Sequence, residues 1–217
     1  MRRLPVYLLL DTSTSMRGEA INAVQSGLDL LVSTLRQDPY ALETAYLSVI
    51  TFDTSAKQLA PLTELTDFQT PILEVGGVTS LGEGLECAAD AIGREVQKTS
   101  ASQKGDWKPL IFLMTDGAPT DDWEKGVAAL RAAKPGLIIC CAAGPDAQVD
   151  VLGKISEAVV SLDVADSATI AAFFTWVSAS ITTSSRRIDL SKEEVGGVSD
   201  LPPMPEGVNL AKPGDAS

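Results

Sequence analysis

The sequence predicts an α/β protein with a doubly wound, mostly parallel central sheet, one antiparallel edge strand and helices on both faces. Continuous apolar runs of strand length recur along the chain, and segments with apolar residues at helical spacing lie between them. Runs of that kind are typical of parallel strands covered on both faces. The chain has 217 residues, of which 45% are hydrophobic, so it is large enough for one domain with a real core.

The first half of the chain predicts three strands and one helix. Asp38-Pro39 ends that helix, because the residue before a proline is disfavoured in the helical conformation. Pro61 cannot donate to a strand ladder, so the third strand is expected to end near it and to lie at an edge of the sheet. The elements are a strand at Leu4–Leu10, a helix at Glu19–Gln37, and an antiparallel pair at residues 45–52 and Ala56–Leu59.

The second half continues the alternation of strands and helices. A loop at Gly76-Gly77 precedes a helix, and a Lys-Pro-Gly sequence at residues 134–136 ends the next helix. The predicted elements are helices over residues 81–92, 118–133, 150–156 and 167–180, and strands over residues 110–114, 137–142 and 158–162.

A change in composition divides the chain into two parts. From about Ser184 the sequence is rich in proline, glycine, serine and acids and has no helical periodicity. We therefore expect a domain over residues 1–183 and a flexible Pro/Gly-rich tail over residues 184–217.

Charge and residue usage exclude several classes of function. The net charge is -12, which disfavours nucleic acid and anionic membranes as partners. The chain has no histidine, so Ser-His-Asp and Cys-His nucleophiles are excluded. The short apolar run at the N-terminus lacks a cleavage site, and no run reaches the ~18 apolar residues of a membrane span. We expect a soluble cytoplasmic protein.

Oxygen-bearing side chains cluster where predicted strands end. Asp11, Ser13 and Ser15 follow the first strand, Thr79 lies in the glycine loop before a helix, and Asp116 follows a later strand. In an open α/β sheet such loops meet beyond the carboxyl ends of the strands. A site made of oxygen ligands alone suits hard cations such as Mg²⁺, Mn²⁺ or Ca²⁺. The sequence therefore predicts a metal site that uses these five residues.

Three motifs carry a resemblance to a known family. DTSTSM, GGVTSLGEGL and LMTDG occur in this order, and the similarity spans Leu4 to Ile181. The chain resembles von Willebrand factor type A domains, which hold a divalent cation in a metal-ion-dependent adhesion site (MIDAS). Within that family it is most similar to the bacterial tellurium-resistance TerY group.

The resemblance implies roles for the five residues and a kind of partner. Ser13, Ser15 and Thr79 correspond to direct ligands, and Asp11 and Asp116 to carboxylates that act directly or through water. The family's open coordination position takes a Glu or Asp of a protein partner. The TerY group is associated with metal-stress signalling alongside protein kinases and PP2C-type phosphatases, so these are the expected partners.

Other interpretations of the same residues remain open. Asp11 is also suited to capping the loop that follows it, and Thr79-Ser80 with Glu83 to a helix capping box. Asp116-Gly117 is also a common turn. The chain lacks a P-loop, a dinucleotide fingerprint and the second aspartate of aspartate-nucleophile phosphatases, so we expect no enzyme activity. A metal-dependent hydrolase and an adaptor of an AAA-type ATPase remain the alternatives.

Overall fold

The computed structural model describes residues 2–156, 158–162, 164–191 and 197–211. Short 3₁₀ turns lie at Thr14–Met16 and Val198–Asp200. The remaining elements are β1 (Leu4–Asp11), α1 (Glu19–Leu35), α2 (Pro39–Thr44), β2 (Ala45–Phe52), β3 (Ala56–Glu64), α3 (Leu81–Glu95), β4 (Leu110–Thr115), α4 (Trp123–Ala132), β5 (Leu137–Ala143), α5 (Val149–Ile155), β6 (Ala158–Leu162), α6 (Ser167–Ser191) and β7 (Val208–Leu210).

The strands form one sheet in the order β3-β2-β1-β4-β5-β6-β7. β2, β1, β4, β5 and β6 are parallel to one another, and β3 pairs antiparallel with β2 at one edge. This confirms the predicted fold class. The order reverses between β1 and β4, which are direct neighbours, and this is where such folds place their ligands.

Helices cover both faces of the sheet. β1 is buried along its whole length, and its side chains alternate between two hydrophobic cores. Val6, Leu8 and Leu10 pack in the core that α1, α2 and α6 cover. Tyr7 and Leu9 pack in the core that α3, α4 and α5 cover.

The Asp38-Pro39 pair has a second role that the sequence analysis missed. It ends α1 as predicted, but the Asp38 carboxylate also accepts a hydrogen bond from Ala41 N at 2.9 Å and caps α2. Proline is favoured at the first helical position, because the N–H that it lacks would have no helical partner. The same two residues therefore end one helix and start the next.

β3 continues past Pro61 to Glu64, beyond the predicted end of this strand. The pairing register with β2 shifts between Leu47 and Val49, which pair with Thr63 and Ala60. Pro61 lies at this irregularity on an edge strand, where a missing N–H costs no ladder hydrogen bond.

The first residues of the expected tail are helical in the structure. α6 extends to Ser191, so the expected boundary at residue 183 falls inside a helix. Ser178, Ser180 and Ser184 are buried in it, and each hydroxyl donates to the carbonyl four residues earlier. Hydroxyl groups satisfied in this way allow a serine-rich segment to be a buried helix.

The segment 197–211 packs on the domain and adds a second antiparallel strand. β7 pairs with β6 at the edge opposite β3. Trp176 Nε1 donates to Pro202 O at 2.9 Å, and Leu201 and Met204 pack against the core. The rest of the expected tail, residues 192–196 and 212–217, lies outside the described residues. Among the described residues, no helix is long and apolar enough to cross a membrane.

Candidate metal centre

Two of the three predicted loops are joined by backbone hydrogen bonds at the carboxyl end of β1. Gly76 N donates to Thr12 O at 2.9 Å. Thr14 donates to Gly77 O twice, from its backbone N at 3.2 Å and from its hydroxyl at 2.7 Å. The glycine loop is therefore fixed against the loop that follows β1.

Gly77 explains why this loop needs glycine. Its φ is +69°, in the left-handed region that residues with a side chain rarely adopt. A Cβ at this position would lie 2.0 Å from Thr54 Oγ1 and 2.8 Å from Thr54 N. Only a residue without a side chain fits here against the turn between β2 and β3.

A chain of oxygen atoms links the β1 loop to the β4 loop. Ser13 Oγ and Ser15 Oγ are 3.0 Å apart, and Ser15 Oγ donates to Asp116 Oδ1 at 2.6 Å. A methyl group added to Gly117 would lie 3.2 Å from Thr79 Oγ1 and 3.8 Å from Ser15 Oγ, so these two hydroxyls flank this glycine. The structure thus places the four side chains of Ser13, Ser15, Thr79 and Asp116 around one point.

Asp11 lies directly behind these oxygens and is fully buried. Its Oδ1 accepts from Ser13 N at 2.8 Å, and its Oδ2 accepts from Thr115 Oγ1 at 2.5 Å. Asp11 therefore orders the loop that carries Ser13, as the capping interpretation expects. It also brings a second carboxylate to the centre. Capping of the loop and binding of a metal are therefore both compatible with the position of Asp11.

Both carboxylates are electrostatically unfavourable in the protein alone. Burial raises the pKa of Asp11, hydrogen bonds from Ser13 and Thr115 oppose this, and the charge of Asp116 raises it further. Burial also raises the pKa of Asp116, the Ser15 hydrogen bond opposes it, and Asp146 adds to it. A cation placed between the two carboxylates would relieve this repulsion.

Thr79 and Ser80 are distinguished by their contacts. Ser80 Oγ donates to Thr54 O at 3.2 Å, and Ser80 makes no side-chain cap on α3. The capping box expected with Glu83 is absent, because Glu83 accepts from Ala56 N instead. Neighbouring Thr79 directs its hydroxyl toward Gly117, at the oxygen cluster.

The first turn of α3 is capped by a residue from another segment. The Asp121 carboxylate accepts from Gly82 N and Glu83 N, both at 2.9 Å. Asp122 caps α4 by accepting from Lys125 N at 3.3 Å. These acids hold the ends of helices beside the centre and do not enter it, as their position in a first turn indicates.

The residues present fit a hard cation. The centre offers two carboxylates and three hydroxyls, which are the oxygen ligands that Mg²⁺ and Ca²⁺ prefer. In the described part of the chain, no group of three or more His, Cys, Asp or Glu side chains is arranged to hold a metal. A cation at this centre would therefore depend on the hydroxyls as much as on the carboxylates.

The sequence analysis missed one participant, Thr115. Its hydroxyl donates to Asp11 and accepts from Gly117 N at 3.3 Å, so it links the two carboxylate-bearing loops. The available signal was its position as the last residue of β4, the strand next to β1. Polar residues at the ends of neighbouring parallel strands meet at the same edge of a sheet.

Comparisons with known proteins agree with this fold. The profile of the von Willebrand factor type A domain family matches residues 6–175, well over half of the chain. No curated protein gives a significant match to the sequence.

Solved structures with this fold are distant in sequence. A von Willebrand factor type A structure from Catenulispora acidiphila has a TM-score of 0.65 at 18% identity, covering 84% of this chain and 43% of that one. The pilus adhesin SpaC from Lactobacillus rhamnosus GG has a TM-score of 0.66 at 12% identity, covering 84% and 31%.

A third structure has a zinc-occupied MIDAS motif. It is proximal thread matrix protein 1 from the mussel byssus, with a TM-score of 0.60 at 18% identity, covering 82% of this chain and 48% of that one. The present chain thus spans less than half of each of the three. Similarity at this level of identity shows the fold, and the family profile shows the membership. The chain belongs to the von Willebrand factor type A domain family.

Proposed function

We propose that the chain is a protein-interaction module that captures an acidic residue of a partner through a divalent cation. The cation is Mg²⁺, with Mn²⁺ or Ca²⁺ as alternatives. Ser13, Ser15 and Thr79 hold it directly, and Asp11 and Asp116 bind it directly or through water. This makes the centre a MIDAS.

The observation that carries the proposal is the convergence of hydroxyl and carboxylate oxygens from three loops. Ser15 bridges the loops by contacting both Ser13 Oγ and Asp116 Oδ1, and its side chain is exposed to solvent. Asp11, in contrast, is fully buried behind them. The centre is therefore closed on the protein side and open on the solvent side, as a site that accepts an external ligand requires.

The bound cation would supply positive charge for an external carboxylate. The protein's own residues would position the cation, with the fully buried Asp11 carboxylate on the side away from solvent. Hydroxyl ligands are neutral, so they leave the cation with more of its charge than carboxylate ligands would.

Family membership supports a binding role. Domains of this family mediate protein–protein interactions. The zinc-occupied motif of the mussel protein supports a metal at the corresponding position, and the SpaC structure is that of an adhesin. We propose that the chain is a binding module and not an enzyme, since it has no histidine to act as a general base at the centre.

Calorimetric titration with Mg²⁺ and Mn²⁺ tests the metal site. We expect Asp116→Ala and Thr79→Ala to weaken cation binding by at least about tenfold, the scale of one lost ligand. Ser80→Ala is the matched control, because Ser80 has the same exposure as Thr79 but its hydroxyl donates to Thr54 O. Equal affinities for the Thr79 and Ser80 variants would refute the assignment of Thr79.

The cellular role that we propose rests on the resemblance to the TerY group. We propose that the chain acts in the cytoplasm in a bacterial tellurium-resistance or metal-stress system, with a kinase or PP2C-type phosphatase as partner. Binding of a purified candidate partner in Mg²⁺ and in EDTA tests this. Metal-dependent binding that an Asp or Glu substitution in the partner abolishes is the expected result.

Two alternatives have distinct signatures. An adaptor of an AAA-type ATPase would bind such an ATPase through the same centre, and no kinase or phosphatase. A metal-dependent hydrolase would use the cation as a Lewis acid and turn over phosphate esters or nucleotides in Mg²⁺. Turnover that Asp116→Ala abolishes would favour the hydrolase over the binding module.

A further inference from the structure

Arg17 lies beside the metal centre, two residues after Ser15. The chain makes a 3₁₀ turn here, in which Met16 N donates to Ser13 O at 3.0 Å. Arg17 N donates to Thr14 O at 3.2 Å and closes the turn. Met16 is fully buried, whereas Ser15 and Arg17 on either side of it are exposed. The turn therefore fixes the Arg17 backbone next to the oxygens of the centre, with its Cα no more than about 7 Å from that of Ser15.

The Arg17 side chain is an isolated cation in the part of the chain that the structure describes. It forms no hydrogen bond, ion pair or ring contact with any described residue. The acid nearest to it along the sequence, Glu19, is engaged elsewhere, because its Oε1 accepts from Ser167 N at 3.2 Å and from Ser167 Oγ at 2.9 Å. Glu19 thus holds the start of α6, and it does not balance the charge of Arg17.

The position of Arg17 is unfavourable for its charge within the fold. α1 begins at Glu19 with Gly18 as its N-cap, so Arg17 directly precedes the N-terminal end of a helix of 17 residues. The helix dipole places partial positive charge at this end, which favours acids and disfavours bases. The stability of α1 therefore does not account for a base at this position.

The surroundings of Arg17 in the sequence are strongly negative. The loops at the end of the sheet that carries the metal centre contain nine acids and one base, Arg17. These loops are residues 11–18, 53–55, 74–80, 116–122, 144–148 and 163–166. The charge of a divalent cation at the centre is balanced by the carboxylates of Asp11 and Asp116, so the remaining acids repel an acidic partner. The positive charge of Arg17 offsets part of this repulsion.

We propose that Arg17 binds a second carboxylate of the partner whose first carboxylate ligates the cation. This inference rests on the proposed function and describes its partner more closely, as a segment with two acids. Arginine presents a planar fork of N–H donors that matches a carboxylate and binds it through two hydrogen bonds. In an extended segment, side chains two positions apart lie on the same face, about 6.5 Å from each other. This spacing matches the separation of Ser15 and Arg17, so the expected motif is two acids with one residue between them.

Selection from a phage-displayed library of random twelve-residue peptides tests this. The library is bound to the wild-type protein in Mg²⁺ and eluted with EDTA, so that metal-dependent ligands are recovered. We expect the recovered peptides to be enriched in two acids separated by one residue. The Arg17→Ala variant should keep the enrichment in one acid and lose the enrichment in the second. Lys104→Ala is the matched control and should select like the wild type, because Lys104 is also exposed but precedes β4 at the opposite end of the sheet.

Affinities measured with a labelled peptide from the wild-type selection separate the partner contact from the metal site. In fluorescence polarisation in Mg²⁺, Arg17→Ala should weaken peptide binding by about fivefold or more, and Lys104→Ala by less than about twofold. In calorimetry, Arg17→Ala should bind Mg²⁺ no more weakly than the wild type, because the variant removes a positive charge near the cation. Thr79→Ala, in contrast, should weaken the binding of both Mg²⁺ and the peptide.

Reversal of the charge gives the sharpest result, since the Arg17→Glu variant should select peptides with a lysine or arginine in place of the second acid. Two results would overturn the proposal: no enrichment of a second acid with the wild type, or the same enrichment with Arg17→Ala as with the wild type. In both cases, enrichment of a single acid would still support the proposed function. Recovery of no acidic peptide that depends on Mg²⁺ would instead refute the proposed function, and this inference with it.

Discussion

The loops at the metal-centre end of the sheet and the segments that precede β1, β4 and β5 at the other end have opposite charge. The loops at the metal-centre end, residues 11–18, 53–55, 74–80, 116–122 and 144–148, contain one base, Arg17. Their acids are Asp11, Asp53, Glu74, Asp116, Asp121, Asp122 and Asp146. The segments that precede β1, β4 and β5 contain one acid, Asp106. Their bases are Arg2, Arg3, Lys98, Lys104, Lys108 and Lys134.

Topology explains part of this contrast. Each helix that joins two parallel strands starts at the carboxyl end of the sheet and finishes at the amino end, so acids are favoured at one end and bases at the other. Asp122 at the start of α4 and Arg131 in its last turn follow this rule. The rule does not explain why the carboxylates of Asp11 and Asp116 lie close together without a cation at one end, while Asp106 at the other end is neutralised by Arg3.

The largest expected effect on stability comes from Asp106, at the end of the sheet opposite the metal centre. Asp106→Ala would leave the Arg3 guanidinium without its ion pair and Gln97 N without its acceptor. We expect a loss of roughly 2 to 3 kcal/mol in the free energy of unfolding. This is less than the loss expected for a fully buried ion pair, because the Arg3 side chain is partly exposed. Urea denaturation measures it. Mg²⁺ affinity should not change, and a parallel loss of Mg²⁺ binding would show that the two ends are coupled.

A glycine substitution should have the next largest effect, at the metal-centre end. Gly77→Ala forces a side chain into the left-handed region and against Thr54, so we expect a loss of about 2 kcal/mol in stability. Mg²⁺ affinity should also fall, because Gly77 O anchors the loop through Thr14. Gly76→Ala is the control, since a Cβ there meets nothing within 4 Å. Similar behaviour of the two variants would contradict the role of the glycine loop.

A smaller effect is expected from the charge of Asp11. Burial raises its pKa above the ordinary value of 3.8, so in metal-free protein its contribution to stability is complete below the unfolded pKa and is lost as pH rises through the folded pKa. The Asp11→Asn variant has no ionisable side chain at this position. In EDTA the variant should therefore melt higher than wild type at pH 7, and the difference should shrink toward pH 4.

Adding Mg²⁺ should reverse this order at pH 7, because the wild-type carboxylate then has a cation to balance it. Melting temperatures measured across pH with and without Mg²⁺ check both statements. A wild-type protein that is more stable than Asp11→Asn in EDTA at pH 7 would contradict the electrostatic account of the centre.

The smallest effect is expected for the stability of Lys134→Gly. Relief of the left-handed conformation should raise the free energy of unfolding by roughly 0.5 to 1 kcal/mol, after the entropy that glycine costs in the unfolded chain. Lys134 is the one described non-glycine residue in the left-handed region, with a φ of 55°. Urea denaturation of the variant and the wild type measures the difference.

The sequence predicted most of the parallel core and the place of the site for physical reasons. The β1, β4 and β5 segments are buried on both faces, so their apolar runs identify them without any knowledge of their neighbours. Asp11, Ser13, Ser15, Thr79 and Asp116 could be grouped because parallel strands bring their carboxyl ends to one edge. In the structure these residues lie close together, while their ligation of a metal stays a prediction.

The features that the sequence analysis missed depend on partners far along the chain. Asp121 caps α3 in place of the capping box with Glu83. It lies in the loop that follows β4, 39 residues from Gly82. The serine-rich part of α6 looks unlike a helix until the hydroxyls of Ser180 and Ser184 are seen to bond within it. β7 has only three residues, and nothing in so short a segment indicates pairing with β6.

β7 also protects the protein from association with other chains. It covers β6 by pairing Leu162 with Val208, Ser161 with Asn209 and Val160 with Leu210. Without it, β6 would present unpaired amide and carbonyl groups beside an apolar core, a surface that readily recruits strands from other molecules and leads to aggregation or domain swapping. A strand of three residues offers little length for further pairing. The C-terminal segment should therefore lower the tendency of this edge to pair with strands of other molecules.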